Sequence, residues 1–150
     1  MNSDFKDLLR AFGETGVRYL IIGGYAFAEH VEPRYTKDLD IWIDNQDKNA
    51  GLVIKALRKF GAPLLDVSES DLMVPTTVYQ IGIPPTRIDI LAGLERMSFS
   101  DCWERRKLVQ IDDLSVSYIS AEDLLITKQL AGRPQDMIDA EQLRRKLNIS

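Results

Sequence analysis

Three aspartates in otherwise apolar segments are the residues of this chain best suited to chemistry. Asp38 and Asp40 lie two positions apart in a segment of alternating polarity, and Asp89 lies in the apolar segment 87–91. Residues two apart in a strand leave the same face, so Asp38 and Asp40 share a face while their apolar neighbours point into the core. Carboxylates are ligands for Mg²⁺, and three of them could hold two ions about 3.5 to 4 Å apart for phosphoryl or nucleotidyl transfer.

Each of these acids also has a simpler interpretation. Asp38 and Asp40 could be two solvated acids on an exposed sheet face. Asp89 could form an ion pair with Arg87, which lies two residues earlier and therefore shares its face. The metal hypothesis gains weight because all three acids interrupt hydrophobic strands.

A pair of glycines follows the apolar segment 18–22. Gly23 and Gly24 precede a short apolar segment that is predicted to be helical, a position where the backbone can approach a phosphate and free amides attract anions. An ordinary tight turn between strand and helix would look the same. Residues 25–37, which separate Gly24 from Asp38, are enough for one helix and a returning strand, so both features are expected on one side of a sheet.

Alternating and helical spacings indicate the elements that must position these residues. They predict helices over 3–15, 25–31, 46–60, 98–106 and 121–131 and from residue 134 to about 147. They predict strands over 18–22, 38–44, 76–83, 86–91, 107–111 and 114–118, with an antiparallel hairpin at Pro84 and Pro85. Ser120 and Asp123 have the spacing of a capping box. The expected fold class is α+β (α/β), a mixed sheet flanked by helices with a helical C-terminal segment.

Composition excludes several other kinds of chemistry. The chain has 150 residues, 45% of them hydrophobic, which predicts a single domain over residues 1–150. Its net charge of −4 disfavours broad nucleic-acid binding. Because Cys102 and His30 are the only residues of their types, a disulfide framework and a Cys/His zinc site are excluded. No segment predicts a signal peptide or a membrane span, so a cytoplasmic protein is expected.

The motifs together resemble those of a known superfamily. Segments 21–24, 38–41 and 88–90 resemble the hydrophobic-Gly-Gly/Ser, Asp-x-Asp and third-Asp signature of the DNA polymerase beta-like nucleotidyltransferases. Segments 34–40, 122–128 and 132–139 are similar to its bacterial abortive-infection and toxin-type branch. The resemblance extends from about Arg18 to Leu143. It implies the nucleotidyltransferase fold and transfer of a nucleoside monophosphate from an NTP to a hydroxyl acceptor, with release of pyrophosphate.

The resemblance also implies roles for individual catalytic residues. Asp38 and Asp40 would bind two Mg²⁺ ions, and Asp89 would bind the catalytic ion and help to activate the acceptor hydroxyl. Lys128 would contact phosphate or stabilise charge, although an exposed lysine on a helix of mixed polarity is the alternative.

A second group of residues would bind the nucleotide. Gly23 and Gly24 would cradle the triphosphate, although many superfamily members have Ser at the second position, so a hydroxyl is missing here. Arg34 and Thr36 could hold phosphate or the acceptor. Arg34 could equally balance the charge of the acid cluster.

Acceptor and partners remain open at the level of sequence. The acceptor could be RNA, a protein hydroxyl or a small molecule, and an antitoxin partner or a second copy could complete the site. Two other functions are compatible with the motifs. One is a catalytically silent nucleotide-binding or interaction module of a toxin–antitoxin-like pair, and the other is a hydrolase with water as acceptor.

Overall fold

A six-stranded mixed sheet is the centre of the computed structural model, which describes residues 1–148. The strands are β1 (Tyr19–Ile22), β2 (Leu39–Ile43), β3 (Val78–Ile81), β4 (Ile88–Leu91), β5 (Lys107–Ile111) and β6 (Leu114–Tyr118). Their order is β3-β4-β2-β1-β6-β5. The pairs β1–β6 and β2–β4 are parallel, and β1–β2, β3–β4 and β5–β6 are antiparallel. The predicted mixed sheet and the predicted antiparallel hairpin are confirmed.

Helices pack around this sheet. They are α1 (Ser3–Thr15), α2 (Gly23–His30), α3 (Asp47–Phe60), α4 (Phe99–Glu104), α5 (Ala121–Ala131) and α6 (Pro134–Leu147), with a short 3₁₀ helix at Asp71–Met73. Helix α1 packs on α3 and β6, α2 packs on β1, β2 and α5, and α5 packs on α6. The predicted flanking helices and helical C-terminal segment are therefore present.

Two local differences from the sequence-based predictions affect the site. Helix α2 begins at Gly23 rather than Tyr25, so both glycines belong to its first turn. Asp38 lies just before β2, which begins at Leu39.

Trp42 is buried and packs edge to face on Phe99, with ring centroids 5.2 Å apart, so the strand beyond Asp40 is covered on both faces.

The start of α5 follows only half of the predicted capping box. The Ser120 hydroxyl accepts a hydrogen bond from the Asp123 amide at 3.1 Å, as an N-cap should. The Asp123 carboxylate instead accepts two hydrogen bonds of 3.0 Å from Arg105. Asp123 is only 2% exposed, and a buried carboxylate is costly without a charged partner.

Among the helices of residues 1–148, none combines the length and the apolar character needed to span a membrane.

Candidate active site

Neighbouring strands bring the three predicted aspartates together. In the parallel pair β2–β4, Asp40 lies directly opposite Asp89, and on the other side Asp40 lies opposite Ile22, the last residue before the glycines. Asp38 precedes Asp40 by two residues, and its carboxylate shares a guanidinium partner with Asp89. The strand register therefore gathers the acids and the glycine turn at one end of the sheet.

Arg87 lies between two of these acids. Its Nη2 donates to Asp38 Oδ2 at 2.8 Å and to Asp89 Oδ2 at 3.2 Å. The ion pair considered for Asp89 is therefore present, but it extends to Asp38 and joins the two segments that carry the acids. Within the part of the chain that the structure describes, no three His, Cys, Asp or Glu side chains form a ready-made metal cage.

The remaining oxygens of these carboxylates lack partners. Asp38 Oδ1 and Asp89 Oδ1 are buried, and neither accepts a hydrogen bond from any described residue. Buried anionic oxygens without a donor are rare because desolvation is costly. Hard divalent cations bind such oxygens, so the donor set fits Mg²⁺ even though Arg87 takes part of it here.

The acidity of Asp40 is strongly perturbed. Burial together with the charges of Asp89 and Asp38 raises its pKa from 3.8 to about 7. Like charges held this close are the arrangement that a bound cation would relieve. Near neutral pH, ionisation of Asp40 therefore costs free energy as long as no metal ion is bound, even with Arg87 beside the other two acids.

The two glycines are required by close packing. Gly23 has a φ of +66°, and a Cβ there would collide with the Asp40 carboxylate. At Gly24, a Cβ would lie 2.7 Å from Thr36 Cγ2. No side chain of the described residues caps the first turn of α2 by a hydrogen bond, so the amides at this helix start, where Gly23 lies against Asp40, are available to an anion. Thr36 thus lies against the glycine turn, and its hydroxyl donates to Arg34 O at 3.3 Å.

Lys128 lies in a buried ionic network rather than on the surface. Its side chain is 12% exposed, and its Nζ lies 3.0 Å from Asp139 Oδ2 and 3.7 Å from Asp136 Oδ1. Arg34 donates to both oxygens of Asp139, at 3.1 and 2.8 Å, and lies over the Phe27 ring. Neither sequence-based interpretation of Arg34 included this partner.

Asp139 is fully buried at the centre of this network. Burial alone would raise its pKa, but hydrogen bonds from Arg34, Gln135 and Lys128 outweigh that effect and lower the pKa to about 2. Asp139 therefore remains charged and ties α5, α6 and the segment before β2 together. Its spacing was part of the sequence resemblance, but its burial could not be inferred from the sequence.

A cleft of about 260 Å³ connects the two groups of charges. The polar residues that line it are Asp40, Asp89, Thr127, Lys128, Arg133 and Asp136, with Gly23 at its wall. Sequence reasoning assigned no role to Arg133, which precedes α6 and donates through Nε to Asp136 Oδ2 at 2.7 Å. Its guanidinium is 78% exposed, so it presents positive charge at the edge of the cleft.

Two aspartates on neighbouring strands, a third just before one of those strands, a glycine turn beside them and a lysine facing the same cleft are the features expected of a nucleotidyltransferase. The chain belongs to the family described as nucleotidyltransferase of unknown function (DUF6036), whose family model matches residues 5–149. The expected superfamily and enzyme class are confirmed, and nucleotidyl transfer is the class of reaction. No curated protein matches the sequence.

Solved structures share the fold at low sequence identity. A candidate nucleotidyltransferase from Thermotoga maritima (TM1012) is 18% identical, with a TM-score of 0.61 over 96% of this chain and 90% of that one. The lincosamide antibiotic adenylyltransferase LnuA, solved with lincomycin, is 18% identical, with a TM-score of 0.62 over 96% of each chain. The antibiotic-resistance factor ANT(2'')-Ia is 12% identical, with a TM-score of 0.65 over 97% of this chain and 83% of that one. These similarities confirm the fold.

Proposed function

We propose that residues 1–150 form one domain that transfers a nucleoside monophosphate from an NTP to a hydroxyl acceptor and depends on Mg²⁺. The observation that carries this proposal is the meeting of Asp40 and Asp89 beside Gly23 in one cleft, with buried carboxylate oxygens that lack donors. Phosphoryl-type transfer needs little covalent chemistry from the protein, so positioning and charge neutralisation suffice.

The glycine turn and the cations would bind the triphosphate. No side chain of the described residues caps the first turn of α2, and Gly23 at its start lies against Asp40, so an anion bound beside Asp40 would accept hydrogen bonds from these amides. Lys128 and Arg133 line the same cleft and supply positive charge for the phosphates. Thr36 packs on Gly24 and Arg34 anchors that segment through Asp139, so we assign to this pair the support of the turn.

The acids would hold the metal and receive the proton. Asp38, Asp40 and Asp89 would hold Mg²⁺, which when bound neutralises the phosphates and lowers the pKa of the acceptor hydroxyl. The acceptor oxygen forms a bond to the α-phosphorus, the bond from that phosphorus to pyrophosphate breaks, and pyrophosphate leaves with the electron pair. Asp89 lines the cleft and would accept the hydroxyl proton on a carboxylate oxygen that the metal leaves free.

A second cavity adjoins this cleft and suits a small acceptor. It measures about 280 Å³ and shares Leu94, Thr127 and Ala131 with the cleft. Apolar side chains dominate its walls, including Met97 and Leu130. A cavity of this size accommodates a small molecule with an apolar body better than a folded RNA or protein surface. We therefore favour a small hydroxylated acceptor; the structural neighbour LnuA, a lincosamide antibiotic adenylyltransferase solved with lincomycin, also binds a small molecule.

Label transfer tests this function directly. The protein is incubated with each NTP labelled at the α-phosphate, with Mg²⁺, and with total RNA, lysate protein or a small-metabolite fraction as acceptor. We expect Mg²⁺-dependent label in one fraction, reduced at least about a hundredfold by Asp40→Asn and retained by Asp44→Asn. Asp44 lies beyond the far end of β2 and pairs with Arg18, which makes it a matched control. Nucleotide binding without transfer to any fraction would favour the silent module instead.

A further inference from the structure

Arg87 occupies the acid cluster in a way that bears on metal binding. One nitrogen, Nη2, bridges Oδ2 of Asp38 and Oδ2 of Asp89 at 2.8 and 3.2 Å. A metal bound by the same two carboxylates would use these oxygens or lie within a few ångströms of the guanidinium. Two cations at that separation repel each other, so the metal and the Arg87 guanidinium each weaken the binding of the other to these carboxylates.

The guanidinium satisfies the cluster only partly. Asp89 is 9% exposed, yet its Oδ1 and Oδ1 of Asp38 accept no hydrogen bond from the described residues. Arg87 Nε is also buried and donates to none of those residues. With Arg87 between the two acids, one oxygen of each carboxylate and the arginine Nε therefore have no hydrogen-bond partner among the described residues. A small divalent ion, with its higher charge and its several coordination positions, would satisfy more of the oxygens.

The geometry also allows the side chain to leave without unfolding the sheet. The Arg87 carbonyl accepts a hydrogen bond from the Leu39 amide at 3.1 Å, which holds the backbone at the start of β4. The side chain itself is 33% exposed, so solvent already reaches it. Movement of the side chain alone could empty the position between the two acids.

We propose that Arg87 is an internal cation that competes with the metal for Asp38 and Asp89, and that its departure couples metal binding to nucleotide binding. This proposal rests on the function proposed above. A displaced guanidinium loses its carboxylate partners unless another anion replaces them, and the triphosphate of an NTP is such an anion. Free metal should consequently bind weakly, and metal and nucleotide should each strengthen binding of the other.

The measurement is Mn²⁺ binding, followed by electron paramagnetic resonance of the free ion and by calorimetry, with and without a non-hydrolysable ATP analogue. For Arg87→Gln we expect Mn²⁺ affinity in the absence of nucleotide to rise about tenfold or more, which is the effect of one charge-assisted hydrogen bond. The gain in Mn²⁺ affinity that the analogue produces should fall by a similar factor. Arg87→Lys keeps the charge on a differently shaped side chain and should be intermediate.

Arg105→Gln is the matched control because Arg105 also pairs with a buried aspartate, Asp123, outside the cluster. It should leave Mn²⁺ affinity unchanged. Equal or weaker Mn²⁺ binding by Arg87→Gln, in a variant whose unfolding remains cooperative, would overturn the competition proposal and leave the proposed function intact. Absence of Mn²⁺ binding in the native protein and in all variants, with and without the nucleotide analogue, would overturn both. If Arg87→Gln does not fold, Arg87→Lys decides by the same comparison.

Discussion

Replacing Asp40 by Asn should stabilise the metal-free protein, although Asp40 is central to the proposed site. Burial and the charges of Asp89 and Asp38 raise the pKa of Asp40 to about 7, which means that its ionised form is disfavoured in the folded state. Asn has nearly the same shape and no charge. The substitution therefore removes repulsion while the strand packing remains.

The size of the effect follows from the shift. The pKa of Asp40 rises from 3.8 to about 7, and each pKa unit corresponds to about 1.4 kcal/mol. At pH 8, ionisation of Asp40 therefore lowers the free energy of unfolding by at most about 4 kcal/mol. Some of this is relieved by side-chain movement, so we expect a gain of about 2 to 4 kcal/mol in the free energy of unfolding. For a chain of this length, that corresponds to roughly 6 to 12 °C in Tm.

The raised pKa of Asp40 also predicts how the stabilisation by Asp40→Asn changes with pH. Between about pH 4 and pH 7 the folded protein retains a proton on Asp40 that the unfolded chain has lost, so the stability contributed by this group falls as pH rises through that interval. Asn does not titrate. The advantage of Asp40→Asn should therefore be greatest at pH 8 and should shrink to about 1 to 2 kcal/mol at pH 5.

The assay is thermal unfolding in a metal chelator at pH 5 and pH 8, repeated with Mg²⁺. Asp44→Asn is the control because Asp44 is also buried but is paired with Arg18 at 3.1 Å. Its loss should destabilise the fold by about 1 to 3 kcal/mol. Mg²⁺ should raise the Tm of the native protein and of Asp44→Asn, but hardly that of Asp40→Asn. A lower Tm for Asp40→Asn at pH 8, or an equal gain at both pH values, would refute the reasoning.

Three further predictions concern the glycine turn and the buried network. Gly23→Ala should abolish label transfer and destabilise the fold by more than Gly132→Ala, because both glycines have φ near +65° but only Gly23 has Asp40 within collision distance; chemical denaturation compares the two. Asp139→Asn should lower the free energy of unfolding by about 3 kcal/mol at pH 7. Because the pKa of Asp139 is lowered to about 2, the free energy of unfolding of the native protein should decline as pH falls from about 4 to 2, and a value that does not change over this interval would contradict the assignment. Lys128→Met should weaken binding of an ATP analogue in calorimetry about tenfold or more, whereas Lys59→Met, on an exposed lysine, should not.

Local signals in the chain were enough to locate most elements. The apolar spacing of α1, with Gly13 or Gly16 to end it, predicts the observed bounds of Ser3–Thr15, and in the structure Gly16 takes the left-handed conformation at the helix end. The bounds of β5, β6, α5 and α6 also agree with the predictions. The predicted bounds were wrong where the conformation of a residue depends on contacts with distant parts of the chain. Helix α2 begins two residues earlier than predicted, at Gly23, whose positive φ and close approach to Asp40 are possible because glycine has no side chain, and no local pattern encodes that contact.

The acid cluster shows the same division. Spacing alone indicated that Asp40 and Asp89 lie on strands with apolar neighbours, but their opposition depends on the parallel pairing of β2 with β4 across about fifty residues of chain. Arg87 was recognised as a partner for Asp89, because residues two apart share a strand face. Its second partner, Asp38, could be identified only once the strands were paired.

By itself, the sequence determined the residue types, the alternation and helical spacing that form the elements, and the motif that identifies the nucleotidyltransferase family. Tertiary structure decided which charges meet. It placed Arg34 on Asp139 rather than on the acid cluster, buried Lys128 between two aspartates, and set Arg87 among the acids proposed to bind the metal. The physical reason is that the strength of a charge–charge interaction depends on the distance between the groups and on their burial, and both are properties of the packed chain rather than of residue order.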